Sequence, residues 1–305
     1  MKQDLLTLKD WSAAELYALL DLAKTIKQNP GDYRKALDGK SVVALFEKPS
    51  LRTRVSFDIG INRLGGHMVY LDSQSNKLVG REDVKDMGAN LACWADAIVA
   101  RVYAHSTLEQ LAESAKVPVI NALCDLYHPC QAVADYLTLA EKFDDLSKVK
   151  LAYVGDGNNV THSLMLFGLT LGCEIIVVTP KGHEVDAAIV ELSQQKAALS
   201  GGNLVISNDI SAAIGANVIY TDTWLSMGDT TPLAEIKDTF SGFKVDEAMM
   251  QVTGAEYVMH CQPAHRDLEI SGTLCDGEQS LLMQQAENRM HGQNAILVKL
   301  LSDNF

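Results

Sequence analysis

The sequence predicts an α/β protein made of two doubly wound parallel-sheet domains joined by interdomain helices. Three observations carry this. Short runs rich in Val, Ile and Ala lack polar alternation, as strands covered on both faces do. Helical patterns separate these runs, and strand–helix repetition implies parallel sheets flanked by helices. A long helical segment divides the runs into two sets, so two sheets fit better than one wide sheet.

Taken in order, the chain opens with a helix. Ser12-Ala13-Ala14-Glu15 is a capping box, and Leu16, Leu19, Leu20 and Ala23 follow at helical spacing. The first set of strands is expected at Val42–Phe46, Met68–Leu71, Ala97–Val102 and Val117–Ala122. The dividing helical pattern runs from Cys130 to Phe143 and stops at Asp144-Asp145. The second set is expected at Leu151–Val154, Ile175–Thr179, Leu204–Ser207, Val218–Thr221 and Tyr257–Cys261. A last helical stretch covers Glu278 to Leu301. These signals put the domain junction near residue 135, separating 1–135 from 136–284; the pattern shows the last helix, 285–305, but not its destination.

Composition narrows the partners. With 305 residues the chain can bury a large core. A net charge of −13 argues against nucleic acid or an anionic membrane surface. No run of eighteen apolar residues exists and Met1-Lys2-Gln3-Asp4 starts no signal peptide, so a soluble, cytoplasmic protein is expected. The cysteines Cys93, Cys124, Cys130, Cys173, Cys261 and Cys275 form no Cys-x-x-Cys pair and read as buried thiols in a reducing compartment. His128 with Cys130, and His260 with Cys261, lack zinc-ligand spacing, so no metal is expected.

The most informative segment is Phe46-Glu47-Lys48-Pro49-Ser50-Leu51-Arg52-Thr53-Arg54, which leads from a buried strand into a helix. A helix start offers unsatisfied N–H donors and partial positive charge, and arginine adds a fork matched to phosphate oxygens. The segment is therefore a candidate anion site. The alternative is a capped helix whose arginines face water. Other polar residues also fall at strand ends, where parallel sheets bind ligands: Arg101, His128, Asp222, Ser226, His260 and Cys261. Each has a plainer alternative. Arg101 could lie on the surface, His128 could cap the helix opened by Pro129, and Asp222 could be an N-cap. Gly155-Asp156-Gly157-Asn158-Asn159 permits a tight turn but lacks Gly-x-Gly-x-x-Gly, and no acidic residue closes the next strand. Dinucleotide binding is not expected.

Ser50-Leu51-Arg52-Thr53-Arg54 resembles the Ser-Thr-Arg-Thr-Arg loop of the aspartate/ornithine carbamoyltransferase family. His128-Pro129-Cys130-Gln131, Asp222-Thr223-Trp224-Leu225-Ser226-Met227-Gly228 and His260-Cys261-Gln262-Pro263 follow in the family's order, the last two pointing to its ornithine branch. The resemblance spans about Leu8 to Leu301, and it alone implies that the C-terminal helix 285–305 joins the first domain. It implies that Ser50, Leu51 (through its backbone), Arg52, Thr53 and Arg101 hold the phosphate of carbamoyl phosphate. It implies that His128, Gln131, Cys261, Gln262 and Arg289 surround the carbamoyl group. Asn159, Asp222, Ser226 and Met227 would hold L-ornithine. Arg101, His128, Cys261 and Arg289 would be the catalytic group, with Cys261 beside the ornithine δ-nitrogen.

The implied product is citrulline, with no cofactor, in a homotrimer. Two positions depart from the family pattern: Leu51 removes a hydroxyl, and Gln262 stands where leucine is usual. The second leaves an N-acylated ornithine or a diamine such as putrescine as rival acceptors. A non-catalytic relative is disfavoured because Arg52, His128, Cys261 and Arg289 are all present.

Overall fold

The structure is a computed structural model that describes residues 3–72, 82–224 and 231–302. The chain divides into two compact units, 1–137 with 288–305 and 138–287.

In the first unit the strands are β1 (Ser41–Phe46), β2 (His67–Asp72), β3 (Ala97–Arg101) and β4 (Val119–Leu123). Helix α1 (Ala13–Gln28) precedes them, and α2 (Leu51–Arg63), α3 (Val84–Leu91) and α4 (His105–Ser114) lie between them. The sheet order is β2-β1-β3-β4 with every pairing parallel. The capping box holds as expected, with Ser12 Oγ accepting from Glu15 N–H and Glu15 accepting from Ser12 N–H at 2.9 Å. A cap of this kind contributes roughly 1 kcal/mol.

The second unit contains β5 (Lys150–Val154), β6 (Glu174–Val178), β7 (Asn203–Ser207), β8 (Val218–Thr221) and β9 (Tyr257–His260). Helix α5 (Pro129–Ala140) precedes this set, and the division between units falls within it. Helices α6 (Asn159–Thr170), α7 (Ala187–Ser200), α8 (Leu233–Thr239) and α9 (Glu247–Thr253) separate the strands. After β9 come α10 (Gly272–Asp276) and α11 (Leu282–Leu301). The order β7-β6-β5-β8-β9 is again parallel throughout.

Both sheets are doubly wound, as expected. In each, the chain moves outward from a central strand, then returns to build the other side. The reversal lies between β1 and β3 in one unit and between β5 and β8 in the other. Flanking loops leave in opposite directions there, so a crevice opens beyond the carboxyl ends of the strands. The fold thus offers one binding position per unit.

Four expectations need adjustment. The strand β4 starts at Val119 rather than Val117, because Pro118 has no N–H for the ladder. Residues Glu278 to Leu281 are not helical. Instead Val258 N–H donates to Gln279 O and Leu281 N–H to Val258 O, both at 2.9 Å, which covers the open edge of β9. The edges β2 and β7 are only half buried, unlike the central strands. Cys93 is exposed and Cys261 half-buried, whereas the other four thiols are buried.

Candidate active site

The first crevice is built by β1, α2, β3 and α5. Phe46 and Arg101 stand side by side in the register, at the carboxyl ends of the two strands that flank the reversal. The β3–β4 register shifts between Ala100 and Arg101, with one extra residue, Ala122, on the β4 side. Arg101 is 4 % exposed, which removes the surface alternative.

Ser50 caps α2, its Oγ accepting from Thr53 N–H at 3.3 Å. Leu51 and Arg52 occupy the first turn, whose N–H groups have no intrahelical acceptor. The Thr53 hydroxyl is the meeting point of this crevice. Arg289 Nη2 donates to Thr53 Oγ1 at 2.6 Å, Ser50 Oγ at 2.9 Å, and Arg101 Nη1 approaches to 3.5 Å. Arg289 also donates through Nη1 to Gln131 Oε1 at 2.7 Å, and Gln131 Nε2 donates to Asp135 Oδ1 at 2.8 Å. All of Thr53, Gln131, Asp135 and Arg289 are buried, so neither Gln131 nor Arg289 is ordinary helix surface. Ser50, Thr53, Arg101, Gln131 and Arg289, scattered over the sequence, form one hydrogen-bonded group.

Arg52 and Arg54 behave differently. Arg52 is exposed on the same turn, and Arg54 stacks on the Tyr70 ring with its guanidinium carbon 3.9 Å from the centroid. Leu51 is 75 % exposed. Cys130 follows Pro129 in α5, and burial pushes its thiol up to about 12, which leaves it inert.

His128 occupies the position before α5 and is buried, its carbonyl accepting from Gln131 and Ala132 N–H. Burial, then the Arg289 and Arg101 guanidiniums, hold its imidazole well below the ordinary histidine range. It is therefore neutral at neutral pH, and can donate one hydrogen bond without carrying charge. The unfolded chain protonates this histidine near 6.5 while the folded chain does not. Stability should therefore fall as pH drops through 6.5, by up to about 1.4 kcal/mol per pH unit for this one group. In urea unfolding at pH 5, 6 and 7, His128→Gln should show a shallower acid loss than the parent. An identical slope would contradict a neutral buried His128.

The second crevice lies at the β5–β8 reversal. Thr221 Oγ1 donates to Val154 O at 2.7 Å across it. The next residue, Asp222, is 5 % exposed and gathers three donors. Thr223 N–H (2.7 Å) and Cys261 Sγ (2.8 Å) bind its Oδ1, and Asn158 Nδ2 (2.9 Å) binds its Oδ2. Asp222 is therefore no helix N-cap. That role belongs to Asn158, whose Oδ1 accepts from Val160 and Thr161 N–H. Asn159 is the first residue of α6. Ser226 and Met227 lie outside the described residues.

The Cys261–Gln262 turn is held by His260, already named among the strand-end residues, and by Glu269, which no sequence motif singles out. His260 and Glu269 are both fully buried, and His260 Nε2 lies 3.2 Å from Glu269 Oε1. His260 Nδ1 accepts from Gln262 N–H at 2.8 Å, which fixes the protonated nitrogen as Nε2. Gln262 takes φ 60°, a left-handed conformation that this bond steadies. Asp222, His260 and Cys261 bring potential metal-ligand atoms within 4.8 Å of one another. Both His260 nitrogens and the Cys261 thiol take part in hydrogen bonds within the protein.

Gly157 in the glycine turn packs directly on a neighbouring loop. A Cβ there would stand 2.5 Å from Val185 N and 2.8 Å from His183 O. Its smallness serves a backbone-to-backbone approach.

Comparison with known proteins decides the family. The aspartate/ornithine carbamoyltransferase carbamoyl-P binding domain matches residues 3–141, and the Asp/Orn binding domain of that family matches 147–300. The chain belongs to the aspartate/ornithine carbamoyltransferase family. Within it, the chain is similar to the ornithine carbamoyltransferase of Shewanella oneidensis, 61% identical over 97% of this chain and 99% of the relative. It is also similar to that of Vibrio sp., 56% identical over 98% of this chain and 99% of the relative. The solved ornithine carbamoyltransferase of Pyrococcus furiosus superposes with a TM-score of 0.94 at 43% identity, covering 100% of this chain and 98% of that one. The carbamoyl-P domain match contains Ser50, Thr53, Arg101, His128 and Gln131 of the first crevice, whereas Arg289 and the second crevice fall within the Asp/Orn domain match. Among the described residues no helix is long and apolar enough to cross a membrane.

Proposed function

We propose that this chain transfers the carbamoyl group of carbamoyl phosphate to the δ-amine of L-ornithine, giving L-citrulline and phosphate. The observation that carries the reading is the convergence of Arg289, Ser50 and Arg101 on Thr53 Oγ1 at a helix start. Phosphate oxygens would be held by Ser50, Thr53, Arg101, Arg52 and the first-turn N–H groups of Leu51 and Arg52. Neutral His128 and Arg289 would face the carbamoyl oxygen, and Gln131 the carbamoyl amide. In the attack a C–N bond forms and negative charge gathers on that oxygen. Donors placed for it in advance contribute about 3–4 kcal/mol each. The C–O bond to phosphate then breaks, and the leaving charge falls on the arginines.

In the second crevice Asp222 supplies the anion for ornithine's α-ammonium, with Asn159, Ser226 and Met227 as further contacts. Cys261 and the Gln262 carbonyl would receive the δ-nitrogen and its proton. No cofactor enters this scheme. Alignment of two bound substrates is the largest contribution, about 7–11 kcal/mol.

The active form is proposed to be a homotrimer. Leu51, Val55 and Ile59 are 75 %, 44 % and 45 % exposed and recur every fourth residue, an apolar stripe on α2 that a second copy would cover. The purified protein should form citrulline when assayed against ornithine, N-acetylornithine, putrescine and aspartate, and react with ornithine alone. Light scattering on the same preparation should give three times the chain mass. Carbamoylation of another acceptor in preference to ornithine would overturn the substrate assignment, and a monomer would overturn the assembly.

A further inference from the structure

The Gln131 amide has two ends of similar shape and opposite chemistry, and its surroundings choose between them. Its Oε1 faces Arg289 Nη1 at 2.7 Å, and its Nε2 faces Asp135 Oδ1 at 2.8 Å. A guanidinium only donates and a carboxylate only accepts. The reverse orientation would set the amide NH2 against the guanidinium and the amide oxygen against the carboxylate, two repulsive contacts. The assignment of oxygen and nitrogen therefore follows from the chemistry of both neighbours.

The two neighbours differ in permanence. Arg289 is a group that the proposed reaction engages, so its hydrogen bonds are exchanged as substrate arrives and leaves. Asp135 sits one turn along α5 from Gln131, on the same rigid element, and is fully buried. It keeps hold of the amide nitrogen whatever Arg289 does.

We propose that Asp135 is a positioning residue that makes the donor site specific for a carbamoyl group. By anchoring Nε2 it leaves Gln131 presenting an acceptor oxygen toward the donor crevice. A carbamoyl NH2 donates to such an oxygen. The methyl group of an acetyl phosphate, otherwise nearly the same size and charge, has no hydrogen to donate to it. The methyl analogue therefore forgoes one hydrogen bond to a buried acceptor, and the site favours the carbamoyl group. Were Asp135 absent, the amide could rotate whenever Arg289 is engaged elsewhere. Its NH2 end would then face the donor group and no longer favour a carbamoyl NH2 over a methyl. The carboxylate also offsets part of the positive charge that Arg101 and Arg289 bring into a buried site.

This inference rests on the proposed carbamoyl-phosphate reading, and the test separates the two. Dissociation constants for carbamoyl phosphate, acetyl phosphate and inorganic phosphate would be measured by calorimetry on the full-length protein. The parent should prefer carbamoyl over acetyl phosphate by roughly tenfold or more, the value of one good hydrogen bond to a buried group. Asp135→Ala should lower that preference to the level of Gln131→Ala while inorganic phosphate binds as before. Asp135→Asn keeps the side-chain volume and an acceptor oxygen for Gln131 Nε2, and should fall between parent and alanine variant. If the alanine variant fails to fold, the asparagine variant alone decides, by a preference roughly threefold or more below the parent, a fraction of that hydrogen bond's worth. A preference unchanged in the folded variants overturns the role of Asp135 and leaves the proposed function standing. A parent that binds inorganic phosphate but not carbamoyl phosphate overturns both.

Discussion

Arg101→Ala should cost the protein its hold on carbamoyl phosphate while leaving the fold of the first unit in place. The strand that carries this arginine is fixed on both sides, by β1 and β4, and by buried Ile98, Val99 and Ala100. Losing the side chain therefore does not unmake β3. It removes one of the two buried guanidiniums that approach Thr53 Oγ1, where desolvated charge acts with little screening. Truncating one member of a buried charge pair costs about 2–5 kcal/mol, or a loss of affinity from about thirtyfold to several thousandfold. Arg101→Lys keeps the charge without the planar fork and should recover only part of the loss. The same change acts on His128. Arg101 is one of the groups that hold its imidazole down, so the acid limb of the activity profile should move to higher pH in the alanine variant. Calorimetry gives the first result and a pH–rate profile the second. Wild-type affinity for carbamoyl phosphate would remove Arg101 from the site.

The second large effect is expected at Asp222→Asn. Asparagine matches aspartate in shape, but one end of its amide is a donor. Whichever end it turns, one contact fails: an NH2 meets either Asn158 Nδ2 or the pair Thr223 N–H and Cys261 Sγ–H. The anion that would pair with the ornithine α-ammonium is lost as well. Together these predict a fall in kcat/KM for ornithine of about thirtyfold to several thousandfold, the range for removing one member of a buried charged contact. Affinity for carbamoyl phosphate should change far less, because the ligands proposed for its phosphate group belong to the other unit. Steady-state kinetics with each substrate varied separately tests this split. A loss shared equally by both substrates would point to general unfolding.

Much of the architecture is readable from local pattern. Runs such as Ser41–Phe46 and Lys150–Val154 are buried on both faces, so their apolar composition has no other explanation. Helix caps are legible for the same reason, since Ser12 and Ser50 bond to residues three positions away. The stretch Glu278 to Leu281 is not legible. Its composition suits a helix, but a bare strand edge on β9 needs partners, and tertiary pairing overrides local preference.

The site divides along the same line. Ser50, Thr53, Arg101, His128, Gln131, Asp222 and Cys261 are identifiable because they sit at strand ends or helix starts, within motifs a few residues long. Asp135, Asn158 and Glu269 are not. An aspartate inside a helix, an asparagine before one and a glutamate in a loop are each unremarkable in sequence, and their partners Gln131, Asp222 and His260 are chosen by packing.

Local pattern was thus enough to specify two parallel sheets, the chemical kind of residue at each strand end, and the family to which they belong. What those residues do for one another came from packing in three dimensions. It placed Thr53, Arg101 and Arg289 around one hydroxyl, gave Cys261 its carboxylate, and put Arg101 and Arg289 inside the protein rather than on its surface. The reason is physical. Strand and helix patterns are short-range and repeat along the chain, whereas a buried charge is tolerated only where distant segments supply its partner.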